Sequence, residues 1–458
     1  MSQRSISFWS LCGYAGPALG YGFFYISMWS VIPGIYVTSF GLSLGDLASA
    51  LPIIRAFDGV TGIVVGYISD RLHSIGVSRR YWVVVGSVGV AASCQCLFVP
   101  GDATEPRHFL LWSLLFYLSF NMAYIPHVAW ANDVSIDYQK RAAMFTMYAA
   151  LLKLGNTVFY ALPLISLSGS FEYSPRTLRY GEYVGVFCTA AGLMLMAAAP
   201  ASSHESRHDT RRLLDATGIS TVIRNRPLTL FLAAVGALGI GLGMWFSLQF
   251  LYLTVYVKAG ESLGLVFFIA SALSIVSAPI CFWVIKRSSK ATAWIVGVGL
   301  FSAQLVMTLF LRPDTNWYLV LCTMSIANIA LSFTDIAPTA ILGDIVDYAR
   351  LKFRKRLSGT YLAIETLLFK ASLGIGGSVA VGIAESFGFS GSGSSIHGKS
   401  LLGLKLGFIV LPMCALAVSV GFIACTPITR NRHRIIQMRL DQNSERILLG
   451  RQSRMSND

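Results

Sequence analysis

Charge is scarce in this sequence. Of 458 residues only 13% are Asp, Glu, Lys or Arg, 54% are hydrophobic, and the mean hydropathy is +0.62. A soluble domain carries roughly 25% charged residues, so an ordinary polar shell is excluded, and the apolar excess excludes disorder. Acids are the scarcer sign: 22 Asp and Glu stand against 36 Lys and Arg, a formal charge of +14. The eight Cys show no paired spacing, which speaks against a disulfide framework or a zinc site. The seven His are scattered, and only His204 and His208 lie close together. No HExxH or GxSxG motif appears, so no metal or catalytic residues are expected, and a membrane-embedded enzyme is the disfavoured reading. Long alternating runs are missing too, which excludes a transmembrane β-barrel. No cleavable signal peptide is expected, because the first apolar run is long and ends at no small-residue cleavage site.

What the chain does have is continuous apolar runs. A helix needs roughly 20 apolar residues to cross the hydrocarbon core. Twelve such runs are read near 9–39, 46–70, 80–100, 108–132, 142–167, 181–201, 227–257, 260–285, 291–311, 317–349, 359–388 and 401–425. The expected fold is therefore an all-α membrane protein of twelve transmembrane helices in two six-helix bundles. Its units are 1–201, a linker at 202–226, 227–425, and a basic tail at 426–458. With the N-terminus inside, 26 of the 36 basic residues fall in cytoplasmic segments and six in the opposite loops. That bias places both termini in the cytoplasm. It accounts for the positive charge as topology, without a nucleic-acid partner; the partners expected are the bilayer and a small-molecule substrate, with the chain acting as a monomer.

The two halves echo each other. Asp133–Tyr138 reads DVSIDY and Asp344–Tyr348 reads DIVDY, 211 residues apart and each followed by basic residues. Gly66–Leu72 (GYISDRL) and Phe282–Ser288 (FWVIKRS) occupy matching loops. Two repeats enclosing a midplane site is the plan of many secondary transporters. Asp70, with Arg71, Arg79 and Arg80 after it, reads either as a latch pairing across the bundle interface or as a charged turn that only sets topology. Asp133, Arg141, Asp344 and Asp347 are the further gating candidates.

The GxxxDR…RR pattern between spans two and three resembles the signature loop of the major facilitator superfamily. Within it, Arg55-Ala-Phe-Asp58, Ile125-Pro126-His127 running to Arg141, and Gly343-Asp344-Ile-Val-Asp347-Tyr348 with Gly359 and Lys370 downstream resemble the glycoside–pentoside–hexuronide:cation symporter family. The resemblance spans about residues 10–425 and implies cation-coupled transport of a sugar-like solute by alternating access across a bacterial inner membrane, with no cofactor beyond the coupling H⁺ or Na⁺. It further implies that Asp58 holds the coupling ion and that Lys370 faces it.

An ionisable side chain at membrane depth costs at least a few kcal/mol, so each is a functional candidate. Asp58 lies mid-span with Arg55 three residues earlier on the same face. The pair is either self-neutralised structure or a cation site, to which Thr61 and Asn121 add oxygens. Sodium-coupled members of the family carry a second acid one turn later, where this chain has Gly62. A lone carboxylate suits a proton better than Na⁺, so proton coupling is favoured. Lys370 pairs either with Asp58 or with Glu365. Three charged positions that bind sugar in the family match Gly22, Tyr124 and Tyr148 here, which leaves an amphipathic lipid or a peptidoglycan fragment as the alternative cargo. Tyr124, His127, Tyr148, Lys153, Trp245, Gln249, Asp335 and Glu365 are the candidate substrate residues.

Overall fold

The computed structural model describes residues 7–101, 105–134, 138–165, 171–199, 225–313, 315–353, 358–391 and 398–426, with a few further positions at 396 and in the tail. Most of the expected linker, residues 202–224, and most of the tail lie outside the described residues. Among the described residues the secondary structure is entirely helical. Ten helices are long and apolar enough to cross a membrane, and an eleventh span is the pair Phe8–Ser30 and Ile32–Thr38, bent by 47°. The expected fifth span is the exception. Tyr138–Tyr160 is long enough at 23 residues but carries Lys140, Arg141, Lys153 and Asn156, which drop it below the apolar mark. Lys153 and Asn156 are partly buried, so these polar side chains are shielded over part of their surface by neighbouring helices.

Local chemistry sets where the helices begin. Ser43, Ser174 and Ser289 each accept a hydrogen bond from the backbone N–H three residues on, at 3.0, 3.2 and 3.0 Å, the usual N-cap arrangement. Internal prolines sit at Pro126 and Pro338, matching places in the two halves.

The repeat is visible in the packing itself. A Cβ on Gly22 would lie 2.6 Å from the Leu152 carbonyl oxygen, and one on Gly155 would lie 2.2 Å from that of Leu19. In the second half, Gly243 meets the Leu373 carbonyl and Gly376 that of Ile240, both at 2.1 Å. Each of these four residues stands 221 positions after its counterpart. Spans one and five of the first half therefore touch through the same glycine contact as spans seven and eleven of the second.

Interactions between the halves lie at midplane and toward the end opposite the basic loops. There the Phe171 N–H donates to the Glu261 carbonyl at 2.9 Å, and the Gly264 N–H donates to the Phe171 carbonyl at 2.8 Å. Gly34 backs onto Phe250 and Gly45 onto Glu385. The structure is thus sealed at that end.

Candidate functional site

Asp58 projects from the interior of Leu44–Ser74 and is 1% exposed. Across the seam between the halves, Lys370 Nζ of the helix Ser358–Ser386 donates to its Oδ1 at 2.8 Å. Asn121 binds the pair from a third helix, Pro106–Val134: its Nδ2 reaches the Asp58 carbonyl at 2.9 Å and Oδ1 at 3.0 Å. The Asn121 Oδ1 accepts from Lys370 at 3.3 Å. Thr61 Oγ1 accepts from Asn121 Nδ2 at 3.0 Å and donates to the Phe57 carbonyl at 2.7 Å. The second carboxylate oxygen, Oδ2, is buried without a hydrogen-bond partner. Of the two partners that the sequence leaves open for Lys370, the structure brings it to Asp58; the Glu365 carboxylate accepts from Thr366 Oγ1 at 3.3 Å instead.

Arg55 departs from expectation. Helical spacing puts it on the face of Asp58, yet its guanidinium turns to the Trp29 ring, 3.4 Å from the centroid, and to Tyr117 at 4.7 Å. Aromatic faces attract a cation, and Gly374 leaves the room: a Cβ there would lie 2.4 Å from that of Arg55. One guanidinium nitrogen has no hydrogen-bond partner, and Arg55 lines a small cavity together with Met28, Leu51, Phe246 and Ser247. The self-neutralised Arg55–Asp58 pair is therefore not what forms. Trp29 and Tyr117 escaped sequence reading because nothing in their spacing ties them to Arg55.

The other candidates divide into packed and open. His127 is fully buried within the first half, not on open space. Its Nε2 faces the Tyr14 carbonyl at 2.6 Å, and its Nδ1 contacts the Tyr21 hydroxyl. A carbonyl only accepts, so Nε2 carries a proton and donates to Tyr14. Both ring nitrogens are committed to neighbours in this structure. Trp245, 1% exposed, is wedged among Phe246, Phe301 and Phe408. Gln249 is buried with its amide on the Met324 sulfur at 3.2 Å. Both belong to the core of the second half because their helix buries most of its circumference.

Tyr124 is partly buried and continues a stack through Phe120 to Tyr25. Tyr148 is nearly buried against His127 and Tyr21. Lys153, Asp335 and Glu365 remain at midplane with no ion pair among the described residues. Asp335 is exposed, and Lys153 from the other half acts on it electrostatically, so it faces the space between the halves. Glu365 acts in the same way on Tyr124.

At the basic end the expected latch takes another form. Arg79 donates from Nη2 to Asp70 and from Nε to Asp133, both at 2.8 Å, while His73 lies 3.5 Å from Asp133. These residues all belong to the first half, so Asp70 does not pair across the bundle interface. Arg71 is exposed and takes no part in this network; Arg79, at the start of the next helix, does. In the second half Lys290 pairs with Asp344 and donates to the Ala340 carbonyl at 3.1 Å. Lys290 follows Arg79 by the same 211 residues that separate Asp344 from Asp133, a signal present in the sequence. Asp347 has a contact of its own, and the Arg141 side chain lies outside the described residues.

Two helical bundles joined along seams, with buried charges at the seam, define a membrane transporter of the major facilitator fold. The chain belongs to the family described as MFS/sugar transport protein, matched over residues 13–430. Among curated relatives, YagG of Escherichia coli (strain K12), named as a glycoside/cation symporter, is 22% identical over 419 residues, 88% of each chain. The symporter YnaJ of Bacillus subtilis (strain 168) is 20% identical, covering 91% of each chain. Among solved structures, the nucleoside transporter NupG superposes with a TM-score of 0.63 at 14% identity, covering 92% of this chain and 100% of its own. A mutant form of the peptide transporter POT gives 0.64 at 14% identity, with 93% and 96% coverage.

Proposed function

We propose that this protein is a cation-coupled symporter that carries a sugar-like or other polar organic solute by alternating access, with a proton as the coupling ion. The observation that carries the reading is the Lys370–Asp58 contact at 2.8 Å between the two halves at membrane midplane. A carboxylate shared between an internal ammonium and an incoming cation links ion binding to the seam: when the cation takes Asp58, Lys370 is released and the halves are free to rearrange. Asp58, Lys370, Asn121 and Thr61 form the coupling site, with Arg55 held nearby on Trp29. Tyr124, Lys153, Asp335 and Glu365 line the substrate side, and the Arg79–Asp70–Asp133 and Lys290–Asp344 networks brace the gating ends of the halves. The name of the YagG relative supports a glycoside-like cargo. The basic end is cytoplasmic, in a bacterial inner membrane, by the positive-inside rule. No enzymatic step is assigned, and the monomer is the working unit.

Uptake into proteoliposomes tests this. Asp58→Asn is expected to abolish cation-driven uptake, and a pH gradient without Na⁺ is expected to drive the unaltered protein. Intact coupled uptake in Asp58→Asn overturns the site assignment, and strict Na⁺ dependence overturns the choice of proton.

A further inference from the structure

The seal opposite the basic loops contains one contact that the repeat builds twice. Leu44-Gly45-Asp46 opens the second span of the first half, and Ala259-Gly260-Glu261 leads into the matching span of the second half, 215 residues later. Over each glycine lies a carboxylate from the other half. A Cβ on Gly45 would lie 2.6 Å from Glu385 Oε1, and one on Gly260 would lie 3.3 Å from Glu172 Oε1. Glu385 stands 213 residues after Glu172, so the acids repeat along with the glycines they cover. The exchange is reciprocal: Glu172 of the first half reaches the second, and Glu385 of the second half reaches the first.

Neither carboxylate forms an ion pair among the described residues. What each meets is the first turn of a long helix, whose N-terminal end carries roughly half a positive charge. Glu385 is the plainer case. It sits in the last turn of Ser358–Ser386, where the negative end of its own helix disfavours an acid. The N-terminus of Leu44–Ser74, in the other half, supplies a positive end instead. Asp46 and Glu261 are acids in the same first turns, but each belongs to the helix it begins and crosses no seam. Parting the halves at this end separates Glu172 and Glu385 from their glycines. A contact made in one state and lost in the other biases the equilibrium between the two.

We infer that Glu172 and Glu385 form a reciprocal electrostatic clasp that holds this end closed, and that neutralising them shifts the protein toward the form open there. The inference rests on the alternating access proposed above, and on neither the coupling ion nor the cargo. Both acids are exposed, so each contact changes the closed-to-open ratio by a small factor, about two- to fivefold. The two lie at different seams, so their effects multiply.

Ser247, which lines the small cavity between the halves, serves as the reporter for the test. In right-side-out membrane vesicles of the full-length protein, Ser247→Cys is labelled from outside with an impermeant maleimide, and the rate of the parent protein, with its own cysteines, is subtracted. Glu172→Gln and Glu385→Gln keep the side-chain size and lose the charge. Each is expected to speed labelling about two- to fivefold, and both together by about the product. Glu261→Gln removes a neighbouring acid that crosses no seam, and should leave the rate unchanged. An unchanged rate in the double variant overturns the inference, and so does an equal rise in Glu261→Gln. If the double variant fails to fold, Ser247→Cys alone decides: added choline chloride screens exposed charge and should speed its labelling, and no response overturns the clasp. The two readings fail separately. Coupled uptake that survives Asp58→Asn overturns the coupling site and leaves the clasp, whereas unchanged labelling in the double variant overturns the clasp and leaves the coupling site.

Discussion

The Asp58–Lys370 pair is the contact on which stability turns and, in the proposed mechanism, transport as well. Removing one member of a buried ion pair leaves an uncompensated charge, at a cost of about 3–5 kcal/mol. Lys370→Met is therefore expected to lower the melting temperature of the purified protein clearly. Asp58→Asn combined with Lys370→Met should recover much of that loss, because both charges are gone; a double mutant no more stable than Lys370→Met would show that the pair is not coupled. Gly62 is the second position of interest. A Cβ there would lie 3.7 Å from both amide atoms of Asn121, an ordinary contact, so a side chain fits beside the proposed coupling site. Gly62→Asp supplies a second carboxylate and is expected to introduce Na⁺ stimulation of uptake, measured against choline as the replacement cation. Asp58 and Lys370 were legible in the sequence as charges where none belong. The stack of Arg55 on Trp29 was not, because a helical spacing of three shows a shared face and says nothing of which neighbour fills it.

At the scale of the helix, the two halves offer an internal control. Arg79 serves two carboxylates, Asp70 and Asp133, while Lys290 pairs with Asp344. Arg79→Ala removes the cation that bridges Asp70 and Asp133 and is expected to destabilise the protein more than Lys290→Ala, as read by the two melting temperatures; the reverse order would place the main brace in the second half. Hydropathy located the apolar helices well, since length and composition alone let a segment cross lipid. It served Tyr138–Tyr160 less well, because Lys153 and Asn156, partly buried against neighbouring helices, lower the apolar average of a helix that still has the length to span. Trp245 and Gln249 are buried in this structure, and their burial was not legible because a one-dimensional pattern does not distinguish a cavity wall from a tightly filled core.

For the molecule as a whole, the seal at the weakly charged end decides which face is open. Its backbone part is the reciprocal pair of bonds between Phe171 and the first turn of Gly260–Arg287, closed tightly over Gly264, where a Cβ would lie 2.5 Å from Pro163 and 2.7 Å from the Phe171 oxygen. Gly264→Val cannot fit in that gap, so it is expected to shift the population toward the form open at this end. Cysteines introduced along the seam should then label faster with an impermeant thiol reagent from that side, and unchanged labelling would show that the seal lies elsewhere.

The apolar runs, the charge asymmetry and the repeated acidic motifs fixed the number of halves, the class of fold and the short list of midplane charges, because each of these follows from transfer into lipid and is local in sequence. Which of those charges meet was decided only by the tertiary structure. Asp58 and Lys370 are 312 residues apart, on helices from different halves, and their contact depends on how the two bundles are docked. Packing in three dimensions likewise buries His127, Trp245 and Gln249 and leaves Lys153, Asp335 and Glu365 open. A residue's type shows what it costs to place in a membrane, whereas only its neighbours show whether that cost is met by protein or left for an ion and a substrate to meet.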